Sequence, residues 1–312
     1  MSNPKSTNPK SIAVLGAGAW GTCLAAIASD NGHKVRVWSR SGSLSLKETV
    51  KDADIILSAI SMKGVSSVAA QIESFSIPPD VVFITATKGL DPETTHTPSQ
   101  IWQAMFPNHA VVVLSGPNLS KEIQLKLPSA TVVASRFPTA AEFVQLVFSS
   151  QQFRVYTNLD TLGVELGGTL KNVIAIAAGV CDGLQLGTNA KAALVTRGLT
   201  EMVRIGVSWG AKMETFYGLS GLGDLLATCN SPLSRNYQVG YQLACGKTLS
   251  SILLQLQGTA EGVNTCQVLV TRSKQQNISM PITQQVYRLL RAEIAPRQAL
   301  EELMQRDIKP EL

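Results

Sequence analysis

One lysine, Lys171, stands inside the longest uncharged stretch of the chain, Leu166 to Cys181. The stretch has helical length. Its face through Gly168, Lys171, Ala175 and Ala178 follows i, i+3, i+4 spacing and is otherwise built of small residues. A lysine on such a face is desolvated, and desolvation lowers its pKa toward the range useful for proton transfer. The alternative is a lysine that snorkels to solvent along its stem. An alcohol that gives up hydride needs a base for its hydroxyl proton, and none of the three histidines is suitably placed. Lys171 is therefore the candidate base. Asp224, within Gly221-Leu222-Gly223-Asp224-Leu225-Leu226, is its candidate orienting carboxylate, with a helix-cap aspartate as the alternative. Ser234-Arg235-Asn236 places a hydroxyl, a guanidinium and an amide in a row at a helix start, which suits a phosphate. An ordinary cap with an exposed arginine fits that triplet equally well.

A second chemistry is written near the N-terminus. Gly16-Ala17-Gly18-Ala19-Trp20-Gly21 follows an apolar strand candidate, Ile12 to Leu15, and opens a helix candidate, Trp20 to Ser29. Gly16 allows the tight turn, Gly18 lets backbone approach a pyrophosphate, and Gly21 lets helix and strand pack closely. The next strand ends Trp38-Ser39-Arg40-Ser41, with no carboxylate to repel a 2′-phosphate and Arg40 available to pair with one. This reading expects NADP to be accepted alongside NAD. Further polar loops follow successive strand candidates: Ser58 to Ser61, Thr87-Lys88-Gly89, and Ser115-Gly116-Pro117-Asn118. A doubly wound sheet puts its ligands beyond such strand ends. Lys88 taken alone is also compatible with a plain surface lysine.

These residues need a scaffold that brings two halves of the chain together. Strand candidates Ile12 to Leu15, Val35 to Trp38, Ile55 to Ile60, Val81 to Thr85, Val111 to Leu114 and Thr131 to Ala134 alternate with helical stretches. Runs this apolar read as strands covered on both faces, the mark of a parallel sheet. After about Thr157 the strand signal stops, and helices are expected at Glu165–Val180, Asn189–Gly206, Ser234–Cys245, Glu261–Lys274 and Pro281–Arg291. The fold class expected is α/β: an N-terminal Rossmann doubly wound parallel sheet over 11–158 and a C-terminal all-α substrate domain over 159–312, after a disordered tail over 1–10.

Composition narrows the function class. The 312 residues carry a net charge of +5, with 45% hydrophobic and 16% charged residues. The basic residues are scattered, which favours an anionic substrate and cofactor over nucleic acid. No apolar run reaches the roughly 18–20 residues of a membrane span, and no signal peptide is readable. Five dispersed cysteines without a C-x-x-C pair read as free thiols in a cytoplasmic protein. No metal site is expected. Helix faces around Val195 to Val207 are a candidate homodimer contact.

Taken together, the motifs resemble the bacterial-type NAD(P)-dependent glycerol-3-phosphate dehydrogenases. Besides the glycine motif, the carriers are Thr87-Lys88-Gly89-Leu90, Ser115-Gly116-Pro117 and Gly163 to Gly179 around Lys171. Further along come Thr196-Arg197-Gly198-Leu199, Gly221 to Leu225, Ser234-Arg235-Asn236, Ala260-Glu261-Gly262 and Met280-Pro281-Ile282. The resemblance runs over most of the chain, and the shared order of the motifs makes it specific. It implies interconversion of sn-glycerol 3-phosphate and dihydroxyacetone phosphate, supplying glycerol 3-phosphate for phospholipid synthesis. It implies Lys171 as the proton-transfer group, with Lys88, Gly116, Asn118, Asp224, Ser234, Arg235 and Asn236 around the substrate. It places Gly16, Gly18, Ala19, Trp20, Gly21, Arg40, Lys88, Ser120, Arg235, Thr259 and Glu261 toward the dinucleotide.

Two departures stand out. Family members carry about two dozen residues after the second strand, where this chain has a short Ser-rich loop, Ser41 to Ser45. The family's Pro-Ser after the third strand is Ile60-Ser61-Met62-Lys63 here, and Asn118-Leu119-Ser120 stands where Thr-Phe-Ala is common. Rival readings are a dehydrogenase of β-hydroxy or sugar acids, and a non-catalytic dinucleotide sensor. The phosphate-type triplet disfavours the first, and the Lys171–Asp224 pair disfavours the second.

Overall fold

The computed structural model describes residues 8–256, 258–308 and 310. Residues 1–7 of the polar tail therefore lie outside the described residues, while Lys10 is tied down, its N–H donated to His33 Nδ1 at 3.2 Å.

The first half builds a seven-stranded sheet. Its strands are β1 (Ser11–Leu15), β2 (Lys34–Trp38), β3 (Ile55–Ser58), β4 (Val82–Thr85), β5 (Val111–Ser115), β6 (Ser129–Ala134) and β7 (Phe153–Asn158), in the order β2-β1-β3-β4-β5-β6-β7. The interleaved helices are α1 (Ala19–Asp30), α2 (Leu46–Val50), α3 (Val65–Glu73), α4 (Pro98–Met105), α5 (Ser120–Gln124) and α6 (Pro138–Phe148). Strand alternation assigns the two faces. Ile12, Val14, Ile55 and Leu57 pack with α1 and α6 on one side, while Ala13, Leu15, Ile56 and Phe83 pack with α3 and α4 on the other. Such double cover explains why the strands read as unbroken apolar runs. Strand order reverses at β1, where β2 lies on one side and β3 on the other. The crevice for a ligand therefore opens beyond the C-terminal end of β1.

Two features differ from the sequence expectation. β6 runs antiparallel to β5, with the short helix α5 in the connection between them. β7 extends the sheet as an edge strand, parallel to β6. Its outward residues Arg154 and Tyr156 break the apolar run that marks the inner strands.

The second half is helical: α7 (Thr161–Gly183), α8 (Gly187–Ser208), α9 (Asp224–Cys229), α10 (Arg235–Ala244), α11 (Leu249–Gln255), α12 (Glu261–Gln275), α13 (Pro281–Leu290) and α14 (Pro296–Met304). α7 is the axle. Asp160 caps it by accepting the Gly163 N–H at 2.9 Å, and every residue from Gly163 to Cys181 is buried. Among the described residues it is the one helix long and apolar enough to cross a membrane. Its apolar window is wholly enclosed by other elements, so it is a core helix. α10 lies against it backbone to backbone: a Cβ on Gly240 would sit 1.8 Å from the Ile176 carbonyl oxygen, and one on Gly179 would sit 2.0 Å from that of Tyr237. Near its start, Val164 joins Val113 of β5 and Val132 of β6 in a small apolar cluster. That contact sets α7, and Lys171 with it, beside the strand ends.

Candidate active site

Lys171 is 6% exposed and has found a partner. Its Nζ donates to Asp224 Oδ1 at 3.0 Å and to the Thr228 hydroxyl. Asp224 is 2% exposed, and its second oxygen takes Lys88 Nζ at 2.5 Å. Lys88 comes from the loop after β4, so one carboxylate joins the sheet half to the helical half. Thr228, one turn beyond Asp224 on α9, also donates to Asp224 Oδ1 at 3.1 Å. Asp224 is thus neither a cap nor a surface charge: both oxygens are spent on ammonium groups, and the hydroxyl shares one of them.

Electrostatics follow from this packing. Burial lowers the Lys171 ammonium to about 8; the Asp224 carboxylate opposes that fall, and the Lys88 charge adds to it. For Asp224, burial pulls the carboxyl up, but Lys171 first and Lys88 next outweigh it and hold it below the usual range. The cluster therefore pairs a fixed carboxylate with a lysine that titrates in a useful range. Each ammonium has three donors. Lys171 uses two within the cluster; Lys88 uses one on Asp224 and another on the Gly116 carbonyl oxygen at 3.4 Å.

The glycine motif has the shape a pyrophosphate needs. Gly16 adopts φ +114° and donates to the Trp38 carbonyl oxygen at 2.8 Å, making the tight turn. Gly18 is the residue before α1, with no side chain capping the helix and nothing within 4 Å of where its Cβ would point. The first turn of α1 therefore keeps its N–H groups without a side-chain cap. A Cβ on Gly21 would lie 2.0 Å from the Gly16 carbonyl oxygen, so helix and strand approach as closely as the sequence implied. Trp20 packs half-buried on the sheet. Arg40 is exposed in the turn closed by the Gly42 N–H on the Ser39 carbonyl oxygen. Ser120 opens α5 and lies against α1, its carbonyl oxygen 3.9 Å from the Cys23 thiol.

The remaining candidates come from loops and helix starts of both halves, and Gly116 among them touches the cluster through Lys88. Gly116 directly follows β5 at φ +156°. Asn118 donates Nδ2 to the Thr131 hydroxyl at 3.0 Å, and its buried Oδ1 has no partner among the described residues. Ser234 caps α10 through the Tyr237 N–H, and Arg235 beside it is exposed. Asn236 is buried and accepts the Gly262 N–H at 3.0 Å, which leaves its Nδ2 as donor. Glu261 reaches back to the sheet half, accepting the Met62 N–H at 3.4 Å and the Thr259 hydroxyl; burial raises its pKa.

Profiles for two segments of one family match this chain. That described as NAD-dependent glycerol-3-phosphate dehydrogenase C-terminus covers residues 160–301, and the corresponding N-terminus covers 11–45 and 41–141. The chain belongs to the NAD-dependent glycerol-3-phosphate dehydrogenase family. The N-terminal match comes in two pieces that meet in the Ser41–Ser45 loop. Glycerol-3-phosphate dehydrogenase [NAD(P)+] of Trichormus variabilis is 74% identical over 300 residues, spanning 96% of this chain and 98% of its own. That of Synechocystis is 57% identical over 311 residues, covering 100% and 98%. A glycerol-3-phosphate dehydrogenase structure from Coxiella burnetii superposes with TM-score 0.91 at 33% identity, over 96% of this chain and 99% of that one. Like its relatives, this dehydrogenase joins a Rossmann sheet to a helical half.

Sequence reasoning passed over Thr228, Thr169 and Glu165. Thr228 had a legible signal, since Asp224 and Thr228 stand at i, i+4 on one short helix. Thr169 and Glu165 had none, because only the fold shows what meets them.

Proposed function

We infer that this chain interconverts sn-glycerol 3-phosphate and dihydroxyacetone phosphate with NAD(P). The observation that carries the reading is the buried Lys171–Asp224–Lys88 cluster, placed at the strand ends beside a glycine turn shaped for a dinucleotide. The residues present fit that cofactor. The uncapped α1 N-terminus with Gly16, Gly18, Ala19, Trp20 and Gly21 would hold the pyrophosphate, Arg40 a 2′-phosphate, and Lys88, Ser120, Arg235, Thr259 and Glu261 would flank the remainder. When bound, the nicotinamide supplies hydride exchange.

The chain's own residues do the rest. Neutral Lys171 takes the hydroxyl proton of glycerol phosphate in oxidation, and protonated Lys171 returns it to the carbonyl oxygen in reduction. Lys88 turns its third N–H to the same oxygen, where negative charge develops. Asp224 holds both ammonium groups in register, and Thr228 fixes Asp224. Ser234, Arg235 and the Asn236 amide receive the phosphate at the start of α10, helped by that helix's dipole. Gly116 keeps the wall flat, and Asn118 Oδ1 accepts a substrate hydroxyl. We further propose a cytoplasmic enzyme that supplies glycerol 3-phosphate for phospholipid synthesis, with the α8 face around 195–207 as a homodimer contact.

The test is the loss of 340 nm absorbance with dihydroxyacetone phosphate, run separately with NADH and NADPH. Turnover is expected with both, and the ratio reports what the shortened Ser41–Ser45 loop does to cofactor choice. Cofactor binding without turnover by either would sink the reading.

A further inference from the structure

The segment carrying Lys88 leaves the sheet after β4; Thr87 still donates to the Ile60 carbonyl oxygen at 2.9 Å, but from Gly89 onward the segment is anchored on the helical half at several points. Leu90, 1% exposed, belongs to the same apolar cluster as Leu166, Leu170 and Ile174 of α7. The Gly89 N–H donates to the Thr169 hydroxyl at 3.1 Å. Thr95 accepts Arg272 Nε of α12 at 3.1 Å. Ser99, in the first turn of α4, donates its N–H to Glu165 Oε1 at 2.8 Å and its hydroxyl to Oε2 at 2.5 Å. Thr169 and Glu165 are four residues apart, hence on one face of α7, and they are 0% and 2% exposed.

Thr169 is the nearer anchor. It fixes the amide next to Lys88 from a position two residues before Lys171. Gly168, adjacent to it, faces the Lys88 stem, with Lys88 Cε 3.3 Å from where a Cβ on Gly168 would be. The Lys88 backbone is thus set against the helix that carries the base, and Asp224 then bridges two ammonium groups whose separation is already fixed. We propose that Thr169 is a positioning residue for the reaction, acting through Lys88, with Glu165 as the second anchor of the same loop. The proposal rests on the reading of Lys88 and Lys171 as the reacting pair.

Thr169→Val keeps the shape and removes the acceptor. Small displacements of a reacting group cost rate steeply, so kcat/KM for dihydroxyacetone phosphate should fall about tenfold. NADPH affinity, read by fluorescence titration, should change far less than kcat/KM, and Thr169→Ser should restore turnover to within about twofold. The deciding measurement is a double-mutant cycle with Lys88→Ala, whose residual turnover is measured first. Thr169→Val should have no further effect in that background. A tenfold loss that persists without Lys88 would overturn the proposal, as would a wild-type-like rate for Thr169→Val alone. Should the valine variant fail to fold, Thr169→Ala removes the same acceptor without the branched methyl and is read in the same cycle. A wild-type enzyme inactive on dihydroxyacetone phosphate would instead sink the reading beneath it, so the two failures are distinguishable.

Discussion

Lys171 is held by opposed forces, and they set the pH at which it works. Burial favours its neutral form and Asp224 favours the charged one; burial prevails and leaves it at about 8. The sign of the pH dependence then differs between the two directions. With Lys171 as the proposed base, oxidation needs it neutral, so kcat/KM for glycerol 3-phosphate should rise with pH through about 8. Reduction needs it protonated, so kcat/KM for dihydroxyacetone phosphate should fall over the same range. Lys171→Ala should keep NADPH binding, lose about two to four decades of turnover, and flatten both limbs. Limbs that survive in the variant would assign the ionisation to another group. At this scale the sequence was informative because a lone charge in an apolar helix has few uses. Thr228 was legible only through its i, i+4 spacing from Asp224, since a threonine in an apolar helix otherwise reads as ordinary core filler.

At the scale of elements, the proposed phosphate site depends on how closely α10 can lie on α7. The glycines at 179 and 240 let the two backbones touch, and that contact carries Ser234, Arg235 and Asn236 to the Lys171 side of the helix pair. Gly262 marks the spot: a Cβ there would lie 2.7 Å from both the Asn172 carbonyl oxygen and Asn236 Oδ1. Arg235 is exposed, so its loss should cost little stability. Arg235→Ala should raise KM for dihydroxyacetone phosphate far more than for NADPH, by about tenfold or more for a lost charge-assisted pair. Equal effects on both would mean that Arg235 does not hold the substrate phosphate specifically. The triplet could be read in the sequence as a helix start, but its neighbour could not. Which helix receives α10 is decided by glycines that, in sequence, look like helix weakeners.

For the whole molecule, the question is whether sheet and helices behave as one body. The change from strand to helix patterning was legible, because inner strands run unbroken in apolar residues and the later helices alternate. The edge strand β7 escaped notice, since Arg154 and Tyr156 face solvent and dilute its signal. The antiparallel turn of β6 was equally hidden, as an apolar run carries no direction. Nor does sequence show that a loop of the sheet half is buried in the helical core, where Leu90 lies among residues of α7. That insertion, with the Ser99–Glu165 and Gly89–Thr169 bonds, should make unfolding cooperative across both halves. Calorimetry should therefore give a single transition. Leu90→Ala should cost about 2–5 kcal/mol, as expected for a leucine cavity that cannot collapse. It should lower the midpoint by about 5 °C or more, or split the transition so that the sheet half melts apart from the helical half. Two well-separated transitions already present in the wild-type protein would show that the halves unfold independently and that the buried loop does not couple them.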